Sequence, residues 1–257
     1  MYESLKQICA EEKTRGIPFW KLVQMEDCKE LQKTPEISEQ EMLAVYQAMR
    51  ASFEDYEDEL HSASGLVGGE GAKIYHRRME GKLLCGDFIG RVMEKALKIS
   101  ESNACMKRIA AAPTAGSCGV VPAVFLSIQE EKELSDDRMV EALYVAGGIG
   151  GVIASRASLS GAAGGCQAEI GAASAMAAGG LAYLQGGDAD DIANAAALAL
   201  KSLLGLACDP VAGLVEVPCV KRNVLGAVNA VSFATIFNRK RRIVLRSTGG
   251  HTVPVLV

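Results

Sequence analysis

Two long stretches of small residues constrain the fold of this chain more than any other feature. Residues 142–155 and 170–184 are nearly free of charge and consist mostly of Gly, Ala and Ser. They fall short of the about 20 strongly apolar residues that a membrane-spanning helix needs, and Arg156 and Glu169 lie at their flanks. We therefore expect two helices that are buried on all sides in a protein core.

Helix signals recur along the rest of the chain, whereas strand signals are scarce. Period-two alternation with β-branched residues is confined to the last few residues. A capping box that begins at Ser38 predicts a helix over about residues 39–61, and Asp87 is predicted to cap a second helix. Further helices are expected to begin at Ser135 and Asp188. The sequence thus predicts a compact, all-α fold with buried Gly/Ala-rich helices.

Composition argues against nucleic-acid and membrane partners. The 257 residues carry a formal net charge of −4 at pH 7, whereas phosphate backbones require a concentrated basic face. The single basic run, residues 239–242, is interpreted as a solvated tail. The N-terminus proceeds directly into charged residues and lacks the apolar core of a signal peptide, so we expect a cytoplasmic protein. Eight cysteines in a reducing compartment favour metal or redox chemistry for some of them over a disulfide framework.

Three cysteines lie among small or turn-forming residues. Cys166 follows two glycines, and Cys208 and Cys219 lie on a segment punctuated by Pro and Gly. Their wide separation does not match the close cysteine pairs of zinc fingers or the tight run of bacterial ferredoxins. Thiolates in such surroundings suit an iron–sulfur cluster, and three ligands would leave one iron open to a substrate. On residue chemistry alone, a structural role in an apolar interior explains each thiol equally well.

Three segments carry a resemblance that spacing alone does not provide. They read APTAGS at residues 112–117, SGAAGGCQAE at 160–169 and CDPVAGLVEVPC at 208–219. Through them the chain resembles the iron–sulfur-dependent L-serine dehydratases, and more closely the α chain of their two-chain form, over roughly residues 4–234. The resemblance implies that L-serine is converted to pyruvate and ammonia by a [4Fe–4S] cluster whose open iron acts as a Lewis acid.

The resemblance also implies where the cluster and the substrate bind. It assigns the cluster ligands to Cys166, Cys208 and Cys219. Residues 62–70 are similar to the family's substrate loop, although residues 67–70 read VGGE where the family usually has Thr-Gly-Gly-Asp. Backbone amides and hydroxyls are expected to hold the substrate, and the candidates are Ser64, Gly65, Gly68, Gly69, Thr114 and Ser117. Thr114 and Ser117 are equally well explained as turn or cap residues.

Two residues are candidates for the catalytic base that removes the Cα proton. Lys73 follows the glycine loop and can serve if burial favours its neutral form, although an exposed helix position is the commoner fate of a lysine. Glu169 lies in a small-residue helix, where an ionised carboxylate needs a partner, so a structural salt bridge is the alternative. His76 is interpreted as a solvated surface residue. The remaining cysteines are interpreted as structural: Cys9, Cys28, Cys85, Cys105 and Cys118.

The chain is predicted to form one α-chain domain with three parts. These are a helical N-terminal part at residues 1–61, a catalytic core at 62–234 and an atypical tail at 235–257. Single-chain relatives carry a separate domain before the catalytic part, and too few residues precede residue 62 for one. The resemblance therefore implies a separate L-serine dehydratase β chain as partner in a hetero-oligomer, docked on an apolar patch beside the active site.

Two other functions are alternatives to this one. A pyridoxal-phosphate dehydratase requires an α/β framework and a Schiff-base lysine, and the strands for it are absent from the pattern. A non-catalytic iron–sulfur or helical scaffold protein remains the alternative. It is suggested by the tail, which departs from the family's Gly-Gly-Leu-Ala-like end as a frameshifted or truncated terminus would.

Overall fold

The computed structural model describes residues 2–211, 213–214 and 216–237. In this part of the chain it confirms the predicted all-α class, with one short 3₁₀ turn, Ala115–Ser117, and no strand beyond an isolated bridge. Residues 238–257, with the basic run and most of the predicted tail, lie outside the described residues. The helices are α1 (Leu5–Arg15), α2 (Phe19–Leu31), α3 (Pro35–Glu54), α4 (Glu70–Met79), α5 (Gly86–Ala104), α6 (Val120–Lys132), α7 (Asp136–Arg156), α8 (Gly161–Gly164), α9 (Cys166–Leu184), α10 (Ala189–Lys201) and α11 (Val217–Ile236).

The start of α3 differs from the predicted capping box. Thr34 caps this helix, and Pro35 occupies its first turn, a position for which the fixed φ of proline is well suited. Ser38 lies inside the helix, where its hydroxyl contacts the Tyr144 hydroxyl at 2.6 Å. The predicted cap at Ser38 is therefore wrong, because that hydroxyl joins two helices, and the helix ends at Glu54 rather than near residue 61.

The other predicted helix starts have mixed outcomes. Ser135 and Asp188 are confirmed as caps, since each side chain accepts a hydrogen bond from the backbone N–H three residues later. Asp87 is not a cap, because α5 begins at Gly86. Its carboxylate instead lies in the first turn of the helix and pairs with Arg78 at 3.0 Å and Arg91 at 3.1 Å. A carboxylate in a first turn is favourable to the helix dipole without capping it.

Helix α9 forms the centre of the core, as its small-residue composition predicts. It packs against α6, α7, α10 and α11, and every residue from Ile170 to Ala182 is buried. A Cβ added at Gly179 would lie 2.1 Å from Ile149 Cδ1, and one at Gly180 would lie 2.3 Å from Phe125 Cζ. Glycine is therefore required for these helices to approach so closely. None of the described helices is long and apolar enough to cross a membrane.

The 3₁₀ turn and the N-terminal ends of α9 and α11 meet in one region of the core. The 3₁₀ turn contacts α5, α9 and α11. The N-terminal ends of α9 and α11 carry Cys166 and Cys219, respectively. This packing brings distant cysteines of the sequence to the same region.

Candidate active site

A cavity of about 580 Å³ lies where the start of α9, the start of α11 and the 3₁₀ turn come together. Its lining contains the three cysteines that the sequence singled out, Cys166, Cys208 and Cys219, together with the carboxylates of Glu169 and Glu216. The predicted cluster ligands are thus brought to one cavity, with two carboxylates beside them.

Local backbone geometry places each cysteine. Cys166 is the first residue of α9 and follows Gly165, whose φ of 74° is readily adopted only by glycine. Cys219 is half-buried in the first turn of α11, directly after a proline. Cys208 lies on the exposed connection between α10 and α11. Burial, followed by the charge and hydrogen bond of Cys166, raises the pKa of the Cys219 thiol.

The three thiols line the same cavity. Within the described ranges, no group of three or more His, Cys, Asp or Glu side chains is gathered closely enough to hold a single metal ion. The thiols of Cys166 and Cys219 are within hydrogen-bond contact, and the charge of Cys208 also acts on Cys219. The arrangement offers three soft ligands at the edge of a space, not a compact site for one ion.

The Arg222 guanidinium connects two of the cysteine-bearing segments. Its Nη1 donates hydrogen bonds to Cys166 Sγ at 3.0 Å and to the Ala207 carbonyl at 3.1 Å. The same atom lies 2.5 Å from Asp209 Oδ1. Arg222 is therefore bonded to α9 and to both sides of Cys208.

Glu169 lies in the first turn of α9 between two glycines. A Cβ added at Gly116 would lie 2.7 Å from Glu169 Oε2, and one at Gly161 would lie 2.6 Å from it. No hydrogen bond or ion pair engages this carboxylate within the part of the chain that the structure describes. The salt bridge considered as the alternative is thus absent there, and the carboxylate lines the cavity.

The predicted substrate loop is joined to the cavity through Glu216. The hydroxyls of Ser62 and Ser64 donate hydrogen bonds to Glu216 Oε2 at 2.8 and 2.6 Å. The amide of Gly65 donates to the Ser62 carbonyl. A Cβ at Gly68 would lie 2.2 Å from the Leu60 carbonyl oxygen, so this position accepts only glycine. The predicted substrate residues Ser64, Gly65, Gly68 and Gly69 are not part of the cavity lining, and of them Ser64 is joined to it through Glu216.

Thr114 and Ser117 form the hydrogen bonds of a turn, as their alternative to substrate binding predicts. Their hydroxyls are 3.1 Å apart, and the Ser117 hydroxyl also donates to the Ala112 carbonyl at 3.3 Å. Ser117 is fully buried. These two residues support the turn, whereas the residues between them, Ala115 and Gly116, form part of the cavity wall.

Lys73 is not brought to the cavity. It lies on the exposed side of α4, as does His76. The cysteines interpreted as structural also lie outside the cavity lining: Cys9, Cys28, Cys85, Cys105 and Cys118. Among them, Cys118 is completely enclosed, and this burial raises the pKa of its thiol to about 12.

Sequence reasoning missed Asn223, Arg222 and Glu216. Asn223 is 1% exposed; its Nδ2 donates to the Gly116 and Cys219 carbonyls at 2.8 Å each, and its Oδ1 accepts from the Gly119 amide at 2.9 Å. A usable signal was present, because Asn223 lies four residues after Cys219 and hence on the same helix face. Arg222 lies three residues after Cys219 and carries the same helical signal, whereas the contacts of Glu216 with Ser62 and Ser64 span more than 150 residues and had no local signal.

Comparisons with known proteins place these features in a family context. The sequence model of the family described as "Serine dehydratase alpha chain" matches residues 14–254. A probable L-serine dehydratase alpha chain of Bacillus subtilis is 41% identical over 231 residues, which are 90% of this chain and 77% of the relative. The L-serine dehydratase alpha chain of Peptoniphilus asaccharolyticus is 38% identical over 87% of this chain and 76% of its own length. An L-serine dehydratase of Helicobacter pylori is 47% identical over 53% of this chain and 30% of its own length.

Proposed function

This chain belongs to the serine dehydratase alpha chain family, and from that premise we propose that it is the α chain of an L-serine dehydratase. This enzyme is a lyase that converts L-serine to pyruvate and ammonia. The observation that carries the proposal is the gathering of Cys166, Cys208, Cys219 and Glu169 around one cavity. The relatives named L-serine dehydratase support the substrate.

We propose that the three cysteines hold a [4Fe–4S] cluster. The donor set fits such a group, since three thiols, the soft ligands that iron–sulfur cores use, border one cavity. When bound through three cysteines, the cluster supplies an open iron that acts as a Lewis acid on the substrate hydroxyl.

Glu169 is proposed as the base. Removing water from serine requires loss of a weakly acidic Cα proton, and a positioned carboxylate is suited to accept it. The Glu169 carboxylate borders the cavity and has no partner in the described residues to compete for the proton. Glu169 takes the Cα proton and returns it to the departing hydroxyl, which leaves as water, so that Glu169 is ionised again and 2-aminoacrylate remains. Its imine tautomer hydrolyses to pyruvate and ammonia.

Residues of the 62–69 loop are proposed to orient the substrate. The Ser64 hydroxyl bonds to Glu216, which lines the cavity. When a substrate carboxylate or amine arrives, this hydroxyl can exchange partners with a small movement. Burying the substrate between the loop and the cavity also excludes water from the reacting atoms.

The β chain is proposed as the partner of this chain. The relatives with the longest matches are named as alpha chains. Large apolar side chains are exposed on the segments that build the site, and these are Leu66 at 46%, Met106 at 91%, Val211 at 46% and Leu214 at 38%. Exposed apolar groups of this kind favour an interaction surface beside the cavity. The cytoplasm remains the proposed location.

One experiment tests these proposals together. The chain is purified without oxygen, alone and with a co-expressed β chain, and assayed for iron, sulfide and pyruvate formation from L-serine. We expect iron and sulfide in both preparations and substantial turnover only with the β chain. Iron without turnover in the complex would favour the non-catalytic alternative. Full activity of the isolated chain, unchanged by the β chain, would refute the partner proposal.

A further inference from the structure

We propose that Arg222 is a positioning residue that holds the three cysteine-bearing segments together before any cofactor binds. The inference rests on the proposed function for its purpose, but its geometry is independent of a bound group. Arg222 lies on α11, three residues after Cys219 and thus about one turn along the same helix face.

A single guanidinium nitrogen reaches both other segments. It bonds to Cys166 Sγ at the start of α9. It also bonds to the Ala207 carbonyl and the Asp209 carboxylate, which flank Cys208 on either side. Since α11 also carries Cys219, this one side chain connects the three cysteine-bearing segments by direct bonds.

The segment around Cys208 has few other attachments. Before Cys208, the Gln167 side-chain oxygen accepts a hydrogen bond from the Gly205 backbone amide at 2.8 Å. The backbone amide of Gln167 donates a hydrogen bond to the Leu206 carbonyl at 2.9 Å. For residues 207–210, the bonds to Arg222 are the only hydrogen bonds or ion pairs within the described chain. Removing the guanidinium should therefore release the Cys208 segment while leaving α9 and α11 packed.

Burial and charge strengthen the hydrogen bonds that Arg222 donates. The Arg222 side chain is 16% exposed, whereas that of Asp209 is 62% exposed. Charge-assisted hydrogen bonds from a largely enclosed guanidinium are stronger than bonds between neutral groups. A lysine in its place carries the charge, but its ammonium is a more strongly hydrated point charge on a flexible stem.

The test measures local opening of the full chain before and after loading with iron and sulfide. Thermolysin cleavage within residues 205–211 is mapped by mass spectrometry, because native-state proteolysis follows the population of the locally open form. In the unloaded chain, Arg222→Gln should accelerate this cleavage by about tenfold, and Arg222→Lys should accelerate it less. After loading, Arg222→Gln should also retain less iron than the parent chain.

Lys221→Gln provides the matched control. Lys221 is the adjacent cation on α11, but it pairs with Glu70 across an exposed surface at 3.0 Å, so cleavage within residues 205–211 should not change. Unaltered cleavage in Arg222→Gln, equal acceleration in Lys221→Gln, or cleavage spread evenly over the whole chain would overturn the inference. If the parent chain binds no iron, the cofactor proposal is refuted. The cleavage rates of the unloaded variants still test the role of Arg222.

Discussion

The Ser64 hydroxyl donates a 2.6 Å hydrogen bond to Glu216 Oε2, and this contact ties the proposed substrate loop to the helix that carries a proposed cluster ligand. Glu216 immediately precedes α11, three residues before Cys219. Ser62 donates to the same oxygen at 2.8 Å. The Glu216 carboxylate is therefore bonded to the loop and adjoins the first turn of α11, so it holds the loop close to Cys219.

Loss of this carboxylate should weaken substrate binding more than it weakens cofactor retention. For Glu216→Ala we expect the KM for L-serine to rise roughly tenfold, because two hydroxyls lose their common acceptor and the loop loses its anchor. Iron content should remain near that of the parent. Steady-state kinetics and iron analysis measure the two effects. Glu80→Ala, which removes the exposed pair with Lys82, is the control and should change the KM little.

Replacing any proposed cluster ligand should abolish cofactor retention. In Cys166→Ser, Cys208→Ser or Cys219→Ser, a hard hydroxyl replaces the soft thiolate that iron–sulfur cores require. Iron and sulfide after anaerobic purification should fall close to background in all three variants. Cys28→Ser is the matched control, since that thiol lies outside the cavity lining. Normal iron and sulfide in Cys208→Ser would contradict the ligand assignment.

Glu169→Gln should impair chemistry while leaving the cofactor in place. The amide keeps the size of the side chain but cannot accept the Cα proton, so kcat should fall by about 10²–10⁴. Iron content and the KM should change much less, because Glu169 has no bond to another described residue. Solvent exchange of the substrate Cα proton offers a second readout. A larger fall of kcat in Lys73→Gln than in Glu169→Gln would reverse the assignment of the base.

Asn223→Ala should destabilise the whole chain. The substitution leaves the buried Gly119 amide and the Gly116 carbonyl without their side-chain partner. Unpaired buried groups of this kind cost about 2–4 kcal/mol together, measurable as a lower free energy of unfolding in urea. Asn194 is exposed on α10, and Asn194→Ala should change that free energy by less than about 0.5 kcal/mol. Equal stability of the two variants would show that the Asn223 bonds contribute nothing.

Local features of the sequence were sufficient for the fold class and several helix ends. Caps at Ser135 and Asp188 act within one helical turn, so their residues alone indicate them. The small residues of α9 likewise predict close packing on every side. The structure agrees, since a Cβ at Gly179 would overlap Ile149. Ser38 shows the limit of this reasoning, since its hydroxyl serves a contact with Tyr144, 106 residues away.

The sequence by itself determined an all-α chain, the burial of the small-residue helix α9 and the three cysteines worth attention. The expectation that residues 142–155 are buried on all sides was wrong, because Gly147, Ala154 and Ser155 of α7 are exposed. Only the tertiary structure decided that these cysteines share a cavity with Glu169, that Lys73 lies away from it, and that Arg222 is bonded on both sides of Cys208. The physical reason is the range of the interactions. Caps and periodicity depend on neighbours within a few residues, whereas the site is built from contacts that exist only after α9 and α11 have packed together.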